Sequence, residues 1–302
     1  MARLDVEFDS GGTTCRAWLY LPPAATEPRP VIIMGHGLGG TRGMRLDAYA
    51  ERFRDAGYAC LVFDYRHFGD SDGDPRQLID IGRQRADWVA AIAYVRKRTD
   101  VDTVVLWGSS FGGGHVIEVA AKTPGIAAVV AQCPFTDGFA SAAVMQPLTA
   151  IKTATRGLAD LLGSRMGREP IRIAAAGTPH SAALMTAPDA LPGVLALITD
   201  GADTYRNDVP ARVALRIPLE RPGRALRRVR CPVLLCVCDD DTVAPAWATL
   251  RHARRVPEAE VNRYPFGHFD IYVGEQFERV ILDQIDFLDR HVRNAAVRRS
   301  RQ

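Results

Sequence analysis

The sequence predicts an α/β fold: a mostly parallel central sheet with helices on both faces and a helical cap inserted over one end. Three observations carry this. Short runs of Val, Ile and Leu alternate with helix-like stretches along most of the 302 residues. The runs are apolar at nearly every position, as strands covered on both faces must be. One stretch, from about Phe139 to Gly223, interrupts the alternation between two core strands.

From the N-terminus, strands are expected at 3–9 and 14–21, forming an antiparallel edge, and at 30–35. Helix and strand then alternate: helix 43–56, strand 58–63, helix 77–98, strand 102–108, helix 110–121 and strand 126–133. After the interruption come strand 232–238, helix 245–255, strand 259–265 and helix 272–292. Such βαβ succession argues a parallel sheet, whose ligands bind at the carboxyl ends of the strands. The interrupting stretch is rich in Ala, Leu, Met and Gly, with helical patches at 141–165 and about 181–198. That much apolar content conflicts with a long disordered loop. The expected organisation is a core of 1–138 and 224–302, with a cap at 139–223 over the site.

The chemistry centres on Gly108-Ser109-Ser110-Phe111-Gly112, a G-x-S-x-G pentapeptide between the apolar run Thr103 to Trp107 and the helix that follows. A serine at such a strand-to-helix turn is strained and presents its hydroxyl above the sheet. The flanking glycines remove the Cβ atoms that would collide with neighbouring backbone. Ser110 is therefore the candidate nucleophile. It needs a base, a carboxylate to orient that base, and donors for the oxyanion.

Among seven histidines, His268 stands out because it lies in a loop, Tyr264 to Phe269, between the last strand and the C-terminal helix. Such a loop can bring an imidazole over the nucleophile. His252 and His291 sit in helical, Arg-rich surroundings and are expected to be solvated. His180 falls in the cap, and His67 and His115 flank turns near the site, where His115 could line the pocket. The acid is sought after strand 232–238, in Asp239-Asp240-Asp241. Asp241 precedes a helix expected at Pro245, so its side chain can turn inward, with Asp239 and Asp240 as turn or capping residues. Asp137 is the alternative acid. Donors come from His36-Gly37-Leu38-Gly39-Gly40, directly after strand 30–35. The amides of Leu38 and Phe111 are the expected oxyanion hole, and His36, Met145 and Met185 the candidate substrate contacts. The glycine spacing matches neither a dinucleotide fingerprint nor a phosphate loop with Lys-Ser/Thr.

These residues resemble the α/β-hydrolase superfamily of serine hydrolases over most of the chain. The order Ser110, Asp241, His268 is that superfamily's order. Asp64-Tyr-Arg-His-Phe-Gly-Asp-Ser71 is similar to its D-x-R-G-x-G-x-S turn, with His67 where glycine is commoner; Gly267-His268-Phe269 and Asp241 to Pro245 resemble its histidine and acid loops. The segment Arg66 to Gln77 and the long insertion also look like a subgroup of dipeptidyl-peptidase-like hydrolases and polyketide acyl transferases. The resemblance implies an α/β-hydrolase fold, Ser110 as nucleophile, His268 as base and Asp241 as orienter, with no metal or organic cofactor.

Composition places no obstacle in the way. The chain is 47% hydrophobic and 24% charged, ordinary globular material. Its net charge of +3 is too small to imply nucleic acid. No run reaches the ~18 apolar residues of a membrane span. The N-terminus lacks a signal-peptide core, and the expected location is the cytoplasm. Cys60, Cys133, Cys236 and Cys238 fall in buried strands as small hydrophobes, and no C-x-x-C spacing suggests zinc or a structural disulfide. Seven arginines between Arg212 and Arg230, and the tail Arg298 to Arg301, read as solvated faces or as an electropositive rim for an acidic acyl carrier. The expected activity is hydrolysis of a carboxylic ester, lactone or thioester, the partner being a small acyl substrate. Met145, Met166, Met185, Leu184 and Leu195 are the candidates for an acyl pocket. Acyl transfer on a polyketide or acyl-carrier substrate, peptidase action and a non-catalytic ligand receptor are the alternatives, and an exposed apolar cap face could mediate a homodimer.

Overall fold

Alternate residues of the central strands divide the interior into two cores. In the computed structural model, which describes residues 3–23, 28–199 and 204–293, Val31, Ile33, Leu61, Leu106, Val129 and Leu235 pack on one side of the sheet. Their neighbours Ile32, Met34, Val62, Val105, Val130 and Leu234 pack on the other. This period-two division explains why the strands read as unbroken apolar runs: each side chain has a core to enter, whichever way it points.

The edge is β1 (Leu4–Asp9) antiparallel to β2 (Thr14–Tyr20). β3 (Arg29–Gly35), α1 (Leu46–Asp55), β4 (Ala59–Phe63), α2 (Ile81–Arg96), β5 (Val101–Ser109), α3 (Phe111–Ala120) and β6 (Ala128–Gln132) follow in alternation. The helix expected from residue 77 begins at 81 because Gln77 takes a positive φ and Asp80 caps the first turn by accepting from the Arg83 amide. After the insertion come β10 (Val233–Cys238), α7 (Ala246–Ala253), β11 (Glu260–Tyr264) and α8 (Gly274–Leu288). The eight strands run in the order β1-β2-β4-β3-β5-β6-β10-β11, with β3 to β11 all parallel. Chain order reverses at β3, between β4 and β5. That crevice, at the carboxyl ends of β3 and β5, is where such sheets take ligands.

The insertion holds more than helices. Besides α4 (Gly138–Ala143), α5 (Pro147–Arg165) and α6 (Ala190–Ala196), it carries a second sheet of β7 (Arg172–Ala176), β8 (Ala183–Met185) and β9 (Val209–Pro210), ordered β8-β7-β9. The helical patch expected over 181–198 is thus a short strand followed by a short helix. Pro188 separates them, since its missing N–H cannot continue either ladder. Buried Asp160 on α5 knits the insertion, accepting from the amides of Ile171 and Arg212 and from the Arg212 guanidinium at 2.8–2.9 Å. No helix among the described residues is long and apolar enough to cross a membrane. The arginine tail at 298–301 lies outside the described residues.

Candidate active site

Ser110 sits where β5 ends and α3 begins, with φ 54° and ψ −116°. Few non-glycine residues take such a conformation, and it persists only where packing over-determines it. Here it does. A Cβ on Gly108 would run into the Gly112 carbonyl, and one on Gly112 would lie 2.6 Å from the His36 carbonyl oxygen. Two hydrogen bonds then pin the turn: the Ser110 amide donates to Gln132 at 2.8 Å, and its carbonyl accepts from Phe135 at 2.9 Å.

Two loops from the far end of the sheet meet this serine. His268 Nε2 lies 3.0 Å from Ser110 Oγ, and His268 Nδ1 lies 2.6 Å from Asp241 Oδ2. The other Asp241 oxygen accepts from the amides of Val243 and Ala244 at 2.9 and 2.6 Å. Each Asp241 oxygen therefore has fixed partners, which holds the carboxylate against the imidazole. Burial alone would depress the His268 pKa, but the Asp241 carboxylate outweighs it and holds the ring well above the ordinary histidine value. The neighbouring aspartates turn away: Asp239 pairs with Arg263 at 2.8 Å, and Asp240 is exposed. Asp137, the alternative acid, is elsewhere. It caps α4 and pairs with Arg221 and Arg251.

The loop after β3 lies against Ser110. A Cβ on Gly37 would stand 3.0 Å from Ser110 Cβ, so only glycine allows this approach. Among the described residues, neither the Leu38 nor the Phe111 amide donates to a protein acceptor, and Leu38, Ser110 and Phe111 all face one cavity. His36, expected to touch substrate, instead supports this loop from behind. Its ring is buried edge-on to Tyr65 at 4.6 Å, and Nδ1 bonds the Gly37 carbonyl at 2.9 Å. It borders only a small cleft of about 40 Å³ beside the main cavity. β3 ends at Gly35, and the Tyr65 ring and the Gly37 carbonyl hold the imidazole behind the loop.

A buried polar chain that sequence reading missed joins the nucleophile strand to the histidine loop. Ser109 Oγ lies 2.5 Å from Tyr272 Oη and accepts from Gln132 Nε2 at 3.2 Å. Gln132 Oε1 accepts from Gln284 Nε2 at 2.8 Å, and Gln284 Oε1 from Trp107 Nε1 at 2.9 Å. Ser109 is adjacent to Ser110 in the chain, and Tyr272 follows His268 by four residues. Polar residues at strand positions otherwise filled by Val and Leu were the one available signal.

The main cavity, about 850 Å³, opens from Ser110 and lies between the sheet ends and the insertion. Met145, Met185 and Leu184 line it as expected from the sequence, but Met166 and Leu195 are exposed and do not. Phe135, Ile217, Trp247 and Leu250 complete the apolar wall. Their contribution depends on how α7 and the turns before β10 fold back, which no local pattern reveals. His115 does not line it; it bonds Gln84 at 3.0 Å and burial holds it well below the ordinary histidine pKa. His252, expected in solvent, is buried, because Gly223 leaves no side chain between them. His291 pairs with Glu260 at 2.5 Å, His180 is exposed, and His67 is buried at a positive φ. Five cysteines are buried and Cys231 is half-buried, all as free thiols. Among the described residues no cluster has metal-binding composition.

Comparison with known proteins places this geometry. A family described as serine aminopeptidase, S33 (Hydrolase_4), matches residues 26–269. The quorum-quenching protein AidA of Acinetobacter baumannii is 54% identical over 96% of both chains. The polyketide transferase grgF of a Penicillium species is 26% identical over 97% of this chain and 98% of its own. A solved structure of DcsB in complex with its substrate analogue superposes with a TM-score of 0.83 at 25% identity, covering 96% of this chain and 100% of that one.

Proposed function

This chain belongs to the serine aminopeptidase S33 family (Hydrolase_4), and we propose that it is a serine hydrolase of esters, lactones or thioesters whose reaction is carried by Ser110, His268 and Asp241. The observation behind this is the hydrogen-bonded chain from Ser110 through His268 to Asp241 at the mouth of an apolar cavity. His268 Nε2 takes the proton as Ser110 Oγ attacks the acyl carbonyl. The developing oxyanion falls to the Leu38 and Phe111 amides, fixed donors that need no reorganisation. Collapse expels the alcohol or thiol, protonated by His268, and leaves an acyl-enzyme. The same histidine then activates water to release the acid.

The cavity argues for an apolar acyl group over a free amino acid. An aminopeptidase must pair a substrate ammonium, yet among the described residues the two carboxylates on the cavity wall already have partners: Asp239 holds Arg263 and Asp241 holds His268. Methionines and alanines instead offer a wall that adapts to an aliphatic chain. A relative that quenches quorum signalling makes a small diffusible acyl compound a natural member of the substrate panel. Acyl transfer is the second reading, favoured by an apolar cavity large enough for donor and acceptor together and by a relative that is a polyketide transferase.

The test is hydrolysis of p-nitrophenyl esters from acetate to palmitate by the wild type and by Ser110→Ala, alongside aminoacyl-arylamides. Ester turnover that disappears in Ser110→Ala is expected, with little on the arylamides. Turnover that survives the substitution would end the reading. Product analysis with an alcohol or amine acceptor separates transfer from hydrolysis.

A further inference from the structure

Helix α5 is packed the wrong way round for a helix of an isolated chain. The face turned inward carries Thr149, Thr153, Gly157 and Asp160, all buried. The face turned to solvent carries Leu148, Ile151, Leu158 and Leu162, each between 50 and 61% exposed. Val144 before the helix, which also lines the substrate cavity, and Met166 after it, 54 and 66% exposed, extend the same stripe. An ordinary surface helix shows the opposite arrangement. From the exposed fractions, these six side chains leave about 600 Å² of apolar surface, at the top of what a monomer usually shows in one patch.

We propose that this stripe is the two-fold interface of a homodimer, with two copies of α5 packed antiparallel about Thr155. The spacing carries the argument. Leu148, Ile151, Thr155, Leu158 and Leu162 follow a 3-4 repeat of the coiled-coil kind, and the repeat is nearly palindromic about Thr155. A two-fold axis there sets Leu148 against Leu162 of the second copy, Ile151 against Leu158, and Val144 against Met166. An isologous interface requires this self-complementarity. Thr155 is suited to the axis: it is small, and its hydroxyl donates to the Ile151 carbonyl at 2.9 Å, so covering it strands no polar group. Covering both stripes would bury about 1,200 Å², the lower edge of a standard specific interface. Thr153, buried on the inner face of the same helix, lines the substrate cavity with Ala150 and Ala154, so the dimer would brace one wall of the site.

The test is sedimentation of the full chain from about 1 to 100 µM with disulfide trapping of Thr155→Cys. Helix axes ~8–10 Å apart leave Cα atoms at the crossing about 4–6 Å apart, within disulfide reach. A concentration-dependent dimer is expected, with Thr155→Cys oxidising to a covalent dimer and Ala159→Cys, off the axis, doing so at least tenfold more slowly. The wild type controls for Cys231, the one native thiol not fully buried. Ile151→Glu and Leu158→Glu should sediment as monomers with an unchanged circular dichroism spectrum and with ester hydrolysis still dependent on Ser110. A wild type that is monomeric at 100 µM overturns the proposal. So does a dimer that persists in Ile151→Glu, or a monomer that instead pellets with phosphatidylglycerol vesicles. None of these outcomes bears on the chemistry of Ser110.

Discussion

At the residue scale, the site is a competition between burial and charge. His268 is taken out of water, which favours its neutral form, yet Asp241 at 2.6 Å reverses the balance and raises its pKa. In the proposed mechanism His268 must be neutral to accept a proton from Ser110. Activity is therefore expected to fall as pH drops through an inflection above about 6.5, the ordinary histidine value, readable in a kcat/KM profile. Asp241→Asn removes the charge that raises His268, so the inflection should move to lower pH while kcat falls roughly 10⁴-fold. Ser110→Ala should lower kcat by roughly 10⁵–10⁶-fold. Tyr272→Phe tests the buried chain beneath the nucleophile. Losing the 2.5 Å bond to Ser109 frees the histidine loop to drift by a fraction of an ångström. A loss of about ten- to a hundred-fold in kcat with KM nearly unchanged is expected from steady-state kinetics; a raised KM with kcat unchanged would mean a role in binding.

At the element scale, the insertion is tied to the core by a few buried charges. Asp137 caps α4 through the Phe139 and Ala140 amides and holds Arg221 and Arg251 from either side. Burial would raise its pKa, but these donors and cations keep it below the ordinary carboxylate value. A depressed carboxylate adds stability that is present above the unfolded pKa and lost as pH falls through the folded one. The contribution of Asp137 should therefore begin to fall near about pH 4 and vanish only below its depressed folded pKa. Asp137→Ala should cost about 2–3 kcal/mol in a denaturant melt at pH 7, the two arginines limiting the loss because both reach solvent. Local pattern was a good guide to the core elements and a poor one here. The runs at 30–35, 58–63 and 102–108 became strands within one residue or so, because each is buried on both sides and has no competing solution. The short strand at 183–185 read as helix, because three residues carry no period and only pairing with β7 makes them extended.

At the scale of the whole molecule, specificity belongs to the cavity between the two parts of the chain. Its walls come from α4, α5, β8, the turn at 217–219 and α7, so no contiguous segment defines its length. Filling it partway with Met185→Trp should shift the p-nitrophenyl ester optimum to shorter chains by several carbons while acetate turnover holds within about threefold. An unchanged optimum would mean the acyl group lies elsewhere. The arginine-rich stretch also resolves only at this scale. Arg212 and Arg221 are consumed by Asp160 and Asp137, whereas Arg216, Arg224, Arg227, Arg228 and Arg230 point to solvent.

The sequence by itself determined the fold class and the three residues the loops bring together, because strand burial and the strained Ser110 turn both leave marks a few residues long. Period-two apolarity and glycine spacing are local consequences of a distant environment, so they can be read without it. Tertiary structure alone decided which side chains meet. It turned His36 away from the cavity, made Asp137 an anchor, buried His252 under Gly223, linked Ser109 to Tyr272 and set the leucines of α5 outward. Each of these depends on contacts between segments far apart in the chain, and a contact of that kind imposes no periodicity on either partner.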